Sequence, residues 1–131
     1  MNRRNISWES VMKITQIECL ILDKSFPYIA IVIHTDEGLV GIGECFRRNP
    51  TIAKSVIANI LRSSLLGKNP LHIDSKYRGM MIATNALEMG GVICIAIAGI
   101  DIAPWDIKGR SLDLPIYQLL RGKIRDQVLV R

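Results

Sequence analysis

IAIVIHTDEGLVGIGEC, residues 29–45, reads as two strands joined by a turn. Its first half, IAIVIHT, is dense in β-branched residues, which suit the pleated and half-buried surface of a sheet. Asp36-Glu37-Gly38 follows as a three-residue connection, with glycine where a left-handed backbone is usually required. LVGIGEC then forms the return strand, and glycine inside a strand permits close approach of a neighbouring backbone. Upstream, KITQIECLIL (13–22) alternates and then turns wholly apolar, the pattern of a strand that begins half-exposed and becomes buried. Three consecutive strands imply an antiparallel meander.

Downstream of FRRNP (46–50) the period changes. Ile52, Val56 and Ile60, then Leu61 and Leu65, recur at helical spacing, with Thr51 placed as N-cap and Gly67 as the stop. A second helix is expected from near Pro70 through IDSKYRGMMIAT, and Gly90-Gly91 separates it from a third. In the third, AIAGIDIAPWDIKGR (96–110), Ile93, Ile97, Ile100 and Ile107 trace one face, while Ala96, Ala98, Gly99 and Ala103 are small enough for close packing. Pro104 removes a helical hydrogen bond at a cost of ~3 kcal/mol, which predicts a kink or a new helix starting there. PIYQLL (115–120) makes a short fourth helix, and QVLVR (127–131) reads as a strand with nothing left in its own unit to pair with. Sheet first and helices second is an α+β arrangement: a three-stranded antiparallel meander followed by a bundle of three to four helices.

With 131 residues, 49% hydrophobic and 5% aromatic, the chain suits one domain with an aliphatic core. No apolar run approaches the length of a membrane span, and the first residues lack the apolar core of a secretory signal. Cys19, Cys45 and Cys94 sit at wide, unpatterned spacing among apolar residues, as buried reduced thiols of a cytoplasmic protein would. The formal charge of +5 is spread over short, separated clusters without interleaved aromatics, which argues against nucleic acid and leaves room for a small anion.

Two histidines, His34 and His72, far from each other and from any close cysteine pair, make no zinc site. Each has a plain structural account, His34 on a strand and His72 at a helix start. No phosphate loop appears, because the glycines of GLVGIGE lie within a strand, and no nucleophile-base set can be assembled. Glu44 is expected to pair with Arg47 or Arg48. Asp101 and Asp106 lie about 140° apart around a helix and so serve separate roles. Asp101, Trp105 and Lys108 share a face.

AIAGIDIAPWDIKGR followed by LPIYQLLRGKIRDQV resembles a signature near the end of the N-terminal capping domain in the mandelate racemase and muconate lactonizing enzyme family of the enolase superfamily. KITQIE, HTDEGLVGIGE and LLGKNP agree as well, in the right order, over residues 13–130. The resemblance implies an N-terminal extension (1–12), an enolase-like cap (13–122), and a linker with the start of the first barrel strand (123–131). It implies that the (β/α) barrel, with its magnesium-holding carboxylates and its proton-abstracting bases, lies outside this chain. The chain therefore carries no catalytic, metal or cofactor residue of the family and is expected to be inactive alone. Lys123-Ile124-Arg125 occupies the link, not the position of the family's Lys-x-Lys base motif.

In such a family the cap acts as a lid over the barrel, and its loops after the first and third strands shape substrate choice. Here these are residues 24–28 and 46–50, which makes Phe26, Tyr28, Arg47, Arg48 and Asn49 the candidate substrate-binding residues, the arginines pairing with carboxylate or acid-sugar oxygens. The implied enzyme is a magnesium-dependent sugar-acid dehydratase or racemase, working by abstraction of a proton alpha to a carboxylate, and a homo-oligomer. The face of Asp101, Trp105 and Lys108 is the expected join to the barrel. Arg121 stands where the family usually has the first of two glycines. The alternative is a stand-alone, non-catalytic binding or assembly module with the cap fold.

Overall fold

The computed structural model describes residues 11–23, 25–85 and 90–130. Most of the expected N-terminal extension, residues 1–10, lies outside them, and so does Lys24 of the first loop. Three antiparallel strands, β1 (Ile14–Ile21), β2 (Ile29–Thr35) and β3 (Val40–Cys45), form one sheet in the order β1-β2-β3. The helices follow: α1 (Pro50–Val56), a π-helical turn (Ile57–Leu61), α2 (Arg62–Leu65), α3 (Ile73–Ala83), α4 (Gly91–Leu112) and α5 (Ile116–Leu119).

The hairpin forms at the expected residues, with Gly38 at φ 80° and Thr35 bonded through both its amide and its hydroxyl to the Leu39 carbonyl. Alternation puts Ile29, Ile31 and Ile33 of β2 wholly inside. Each such side chain contributes about 1.5–3 kcal/mol by leaving water. β1 behaves differently from its sequence pattern. A shift of register between Ile14 and Gln16 lets Ile14 and Ile17, three apart, both face the core. The far end of β1 does not become buried: Leu20 and Ile21 are exposed and Leu22 is 64% exposed, because the helices cover only the near part of the strand.

The first helix is one continuous stretch with a π turn in its middle. Ala53, Val56 and Ile57 face the core while Ile52 is 54% exposed, and the turn rotates the later residues so that Leu61 and Leu65 stay on the same inner face. Its N-cap is Asn49 rather than Thr51: Asn49 has left-handed φ and ψ, its carbonyl accepts from Ile52 and Ala53, and Pro50 takes the first helical position.

α4 is the central element and lies across β3. Gly41, Gly43 and Gly99 are the close-packed points: a Cβ on Gly43 would overlap the Gly99 carbonyl, one on Gly41 the Ala103 carbonyl, and one on Gly99 the Cys45 sulfur. Ile97, Ile100 and Ile107 are buried beside them as expected, whereas Ala98 is exposed and takes no part. The helix runs unbroken through Pro104, so no new helix begins there. Packing on both sides of the proline, at Gly99, Ala103 and Ile107, holds the flanking turns in one helix and outweighs the local penalty. Asp113, in the left-handed conformation, ends it.

Beyond α5, Arg121 adopts φ 82°, next to Gly122 at φ 94°. A non-glycine residue there carries the cost of a side chain in left-handed backbone. Residues 127–130 form no strand, and Leu129 is 97% exposed. No helix among the described residues is long and apolar enough to cross a membrane.

The helix-strand seam makes a contrast between two glycines testable. Gly43→Ala should lower stability by about 2–4 kcal/mol in denaturant melts, because backbone must move to admit the methyl group. Gly79→Ala, in α3 with nothing within 4 Å of its Cβ position, should raise it by about 0.5–1 kcal/mol.

Candidate functional site

Ile29 and Cys45 are register partners, so the loop entering β2 and the loop leaving β3 emerge side by side from one end of the sheet. Both are anchored at their bases. Leu22 donates its amide to the Tyr28 carbonyl, and Asp23 accepts from the Ser25 amide and hydroxyl at 2.8 Å each. These bonds hold the Asp23 carboxyl below its ordinary pKa. On the other side Asn49 fixes the start of α1.

Between the loops lies a cleft of about 540 Å³ lined by Phe26, Pro27, Phe46, Arg47 and Arg48. The Arg47 guanidinium sits 3.9 Å from the Phe26 ring centroid, and Tyr28 packs on Phe26 at 5.2 Å and 59°. Of the five residues singled out by sequence, Phe26, Arg47 and Arg48 line the cleft and Tyr28 backs it. Asn49 does not line it and serves the helix start instead. Glu44 makes no ion pair with either arginine among the described residues; the Arg47 head is turned to Phe26 instead. The cleft offers aromatic walls and fixed positive charge, a combination suited to a polyhydroxylated anion.

A second polar cluster, unforeseen from sequence, lies beneath α3. Lys76 is only 6% exposed, and its ammonium donates to the Asn69 carbonyl at 2.6 Å. Burial lowers its pKa to about 8, against the pull of Asp101. Burial likewise raises the Asp101 carboxyl, opposed by the nearby polar indole of Trp105. The spacing Ile73, Lys76, Met80 puts the lysine on the buried face of its helix, and this was the signal available in the sequence. The Lys108 ammonium lies 5.3 Å from the Trp105 ring, so Asp101, Trp105 and Lys108 do form one surface.

Asp106 has the separate role that its angular position required. One carboxylate oxygen accepts the outward Ile42 amide of edge strand β3 at 2.9 Å, and the other accepts from Arg110 at 3.0 Å. His34 donates or accepts across the open sheet face with Glu18 at 2.6 Å, and His72 stands at the N-cap of α3. Cys45 alone is buried, and burial pushes its thiol up to about 11; Cys19 is half-buried and Cys94 exposed, contrary to the expectation of three buried thiols. No group of three or more His, Cys, Asp or Glu side chains that could hold a metal ion exists among the described residues, so the magnesium implied by resemblance does not fit these side chains.

The model of the mandelate racemase / muconate lactonizing enzyme N-terminal domain matches residues 17–121. The chain belongs to this family through that domain. It is 36% identical over 119 residues to a D-xylonate dehydratase of Haloferax volcanii, covering 90% of this chain and 28% of that protein. It is 37% identical over 117 residues to a D-galactonate dehydratase of Verminephrobacter eiseniae, covering 89% and 30%. Among solved structures, an enolase from Agrobacterium radiobacter with sodium and L-malate bound superposes with a TM-score of 0.80 at 28% identity, covering 88% of this chain and 29% of that one. A mandelate racemase/muconate lactonizing protein from Paracoccus denitrificans complexed with magnesium gives 0.80 at 32% identity, covering 87% and 31%. The chain thus spans under a third of the length of these relatives and corresponds to their N-terminal domain.

The burial of Lys76 makes stability depend on pH. Its folded-state pKa lies below the ordinary 10.5, so the unfolded chain binds more protons between pH 8 and 10.5 and stability rises with pH across that window. Subtracting the Lys76→Met melt series from wild type should show a gain on the order of 2–3 kcal/mol accruing from pH 8 to 10.5. A flat difference would contradict the assigned burial.

Proposed function

We propose that this chain is the substrate-lid domain of a magnesium-dependent sugar-acid dehydratase, closing over a (β/α) barrel that removes a proton alpha to a carboxylate. The observation that carries the reading is the arginine-bearing cleft at the end of the sheet, in a domain 36–37% identical to those of a D-xylonate and a D-galactonate dehydratase. Residues 13–122 act as the cap and 123–131 lead into the first barrel strand, whose apolar Val128, Leu129 and Val130 would find their partner there. Metal and base belong to the barrel. This chain supplies shape and charge above the substrate.

Phe26, Tyr28, Arg47, Arg48 and Asn49 are the proposed substrate-side residues, with Asn49 acting through the loop backbone that it fixes. The aromatic wall excludes water, and Arg48 meets acid-sugar oxygens of the substrate from the lid side while Arg47 is held over Phe26. The face of Asp101, Trp105 and Lys108 is the proposed join to the barrel. A homo-oligomeric assembly and a cytoplasmic location accompany this reading as parts of the proposal.

Exposed Ile102, Leu112, Leu120 and Ile124 favour docking against another unit, which the alternative of a binding or assembly module shares. Activity separates the two. The purified chain with magnesium and D-xylonate or D-galactonate should give no dehydration, and turnover by the chain alone would sink the lid reading. Placed as the cap of a D-galactonate dehydratase, it should restore turnover, and Arg48→Ala should then raise KM about tenfold with a smaller effect on kcat. A module with no lid role would leave the chimera inactive.

A further inference from the structure

The two arginines of the cleft are adjacent in sequence but do not stand in equivalent places. Arg47 lies over the Phe26 ring at 3.9 Å, so its charge is engaged with the opposite loop. Arg48 lines the same cleft, and no ion pair or side-chain hydrogen bond involves it among the described residues. Phe26 is in turn backed by Tyr28, one residue before β2 begins. A continuous stack therefore runs from the 46–49 loop through Arg47, Phe26 and Tyr28 into the sheet.

We infer that Arg47 is a positioning residue that ties residues 25–28 to residues 46–49 through the Phe26 ring, so that the two loops move as one body and Arg48 is left as the group that meets an anion. Each loop is already pinned at its base, the first by the bond between Leu22 and Tyr28 and the Asp23–Ser25 turn, the second by Asn49. What remains free is the tips, and the stack joins them. A guanidinium over an aromatic face is held by the ring quadrupole and by its weak hydration, which an ammonium or an alkyl chain reproduces poorly. The inference rests on the lid reading only for what the loops close over; the coupling itself needs no substrate.

Backbone ¹⁵N relaxation on the intact chain tests it. Arg47→Ala should lower the order parameters of Ser25, Phe26 and Tyr28, on the loop that was not mutated, from about 0.85 towards 0.6 or below. Phe26→Leu, which keeps bulk and removes the ring, should do the same to residues 46–48. Arg48→Ala should leave residues 25–28 unchanged. Wild-type Arg47 side-chain protons should also be shifted upfield by the ring, and those of Arg48 should not. Unchanged order parameters in Arg47→Ala, or an equal fall in Arg48→Ala, would overturn the coupling whether or not the chain serves a sugar-acid enzyme. Coupled loops with no effect of the cap on turnover in the chimera would overturn the lid reading alone.

Discussion

The structure depends on how closely one helix can lie on one strand. Gly41 and Gly43 leave β3 without side chains where Gly99 and Ala103 bring the backbone of α4 down, and every Cβ that could be added at the three glycines would strike backbone or a buried sulfur. Close approach allows many weak dispersion contacts along the seam and brings Ile97, Ile100 and Ile107 over the inner face of the sheet, among Ile29, Ile31 and Ile33. It also places Asp106 where it can satisfy the outward amide of Ile42. An edge strand with free amides invites pairing with another chain, and this carboxylate closes one such position from within.

From this seam the site follows. Because α4 fixes β3 and β3 fixes β2, the loops leaving Cys45 and entering Ile29 emerge together, and the cleft between them inherits its geometry from the sheet. Loops held at both bases by the scaffold, with aromatic and cationic tips, can present a defined surface without a core of their own. The remaining polar groups divide between structure and docking. Lys76, which gives its ammonium to the Asn69 carbonyl, and Asp101 on α4 feel each other's charge, and burial shifts each towards its neutral form.

Much of the fold was legible in the amino-acid order. The β-branched run 29–35, the Asp36-Glu37-Gly38 turn and the helical period after residue 50 are local signals, and local signals locate elements well. Features set by tertiary contact were not legible. The exposure of Leu20 to Leu22 depends on where the helices stop covering the sheet, the π turn at Ile57–Leu61 resets the helical phase that carries Leu61 and Leu65 inward, and Pro104 sits inside a helix that packing holds together. At the cleft, four of the five side chains singled out by sequence do come together, but the sequence did not show that Arg47 would be turned to Phe26 rather than Glu44. Such a choice depends on the distance between two loops separated by the whole β2–β3 hairpin, which no local pattern encodes.

Backbone contact makes α4 and β3 a single unit. Native-state hydrogen exchange under increasing denaturant tests it most directly, because it reads the opening free energy of each amide separately. Amides of β3, including Ile42, and those of α4 from Gly99 to Ile107 should open together at the highest free energy in the molecule. Exchange of the α4 amides through a lower-energy opening, with β2 and β3 still protected, would contradict it.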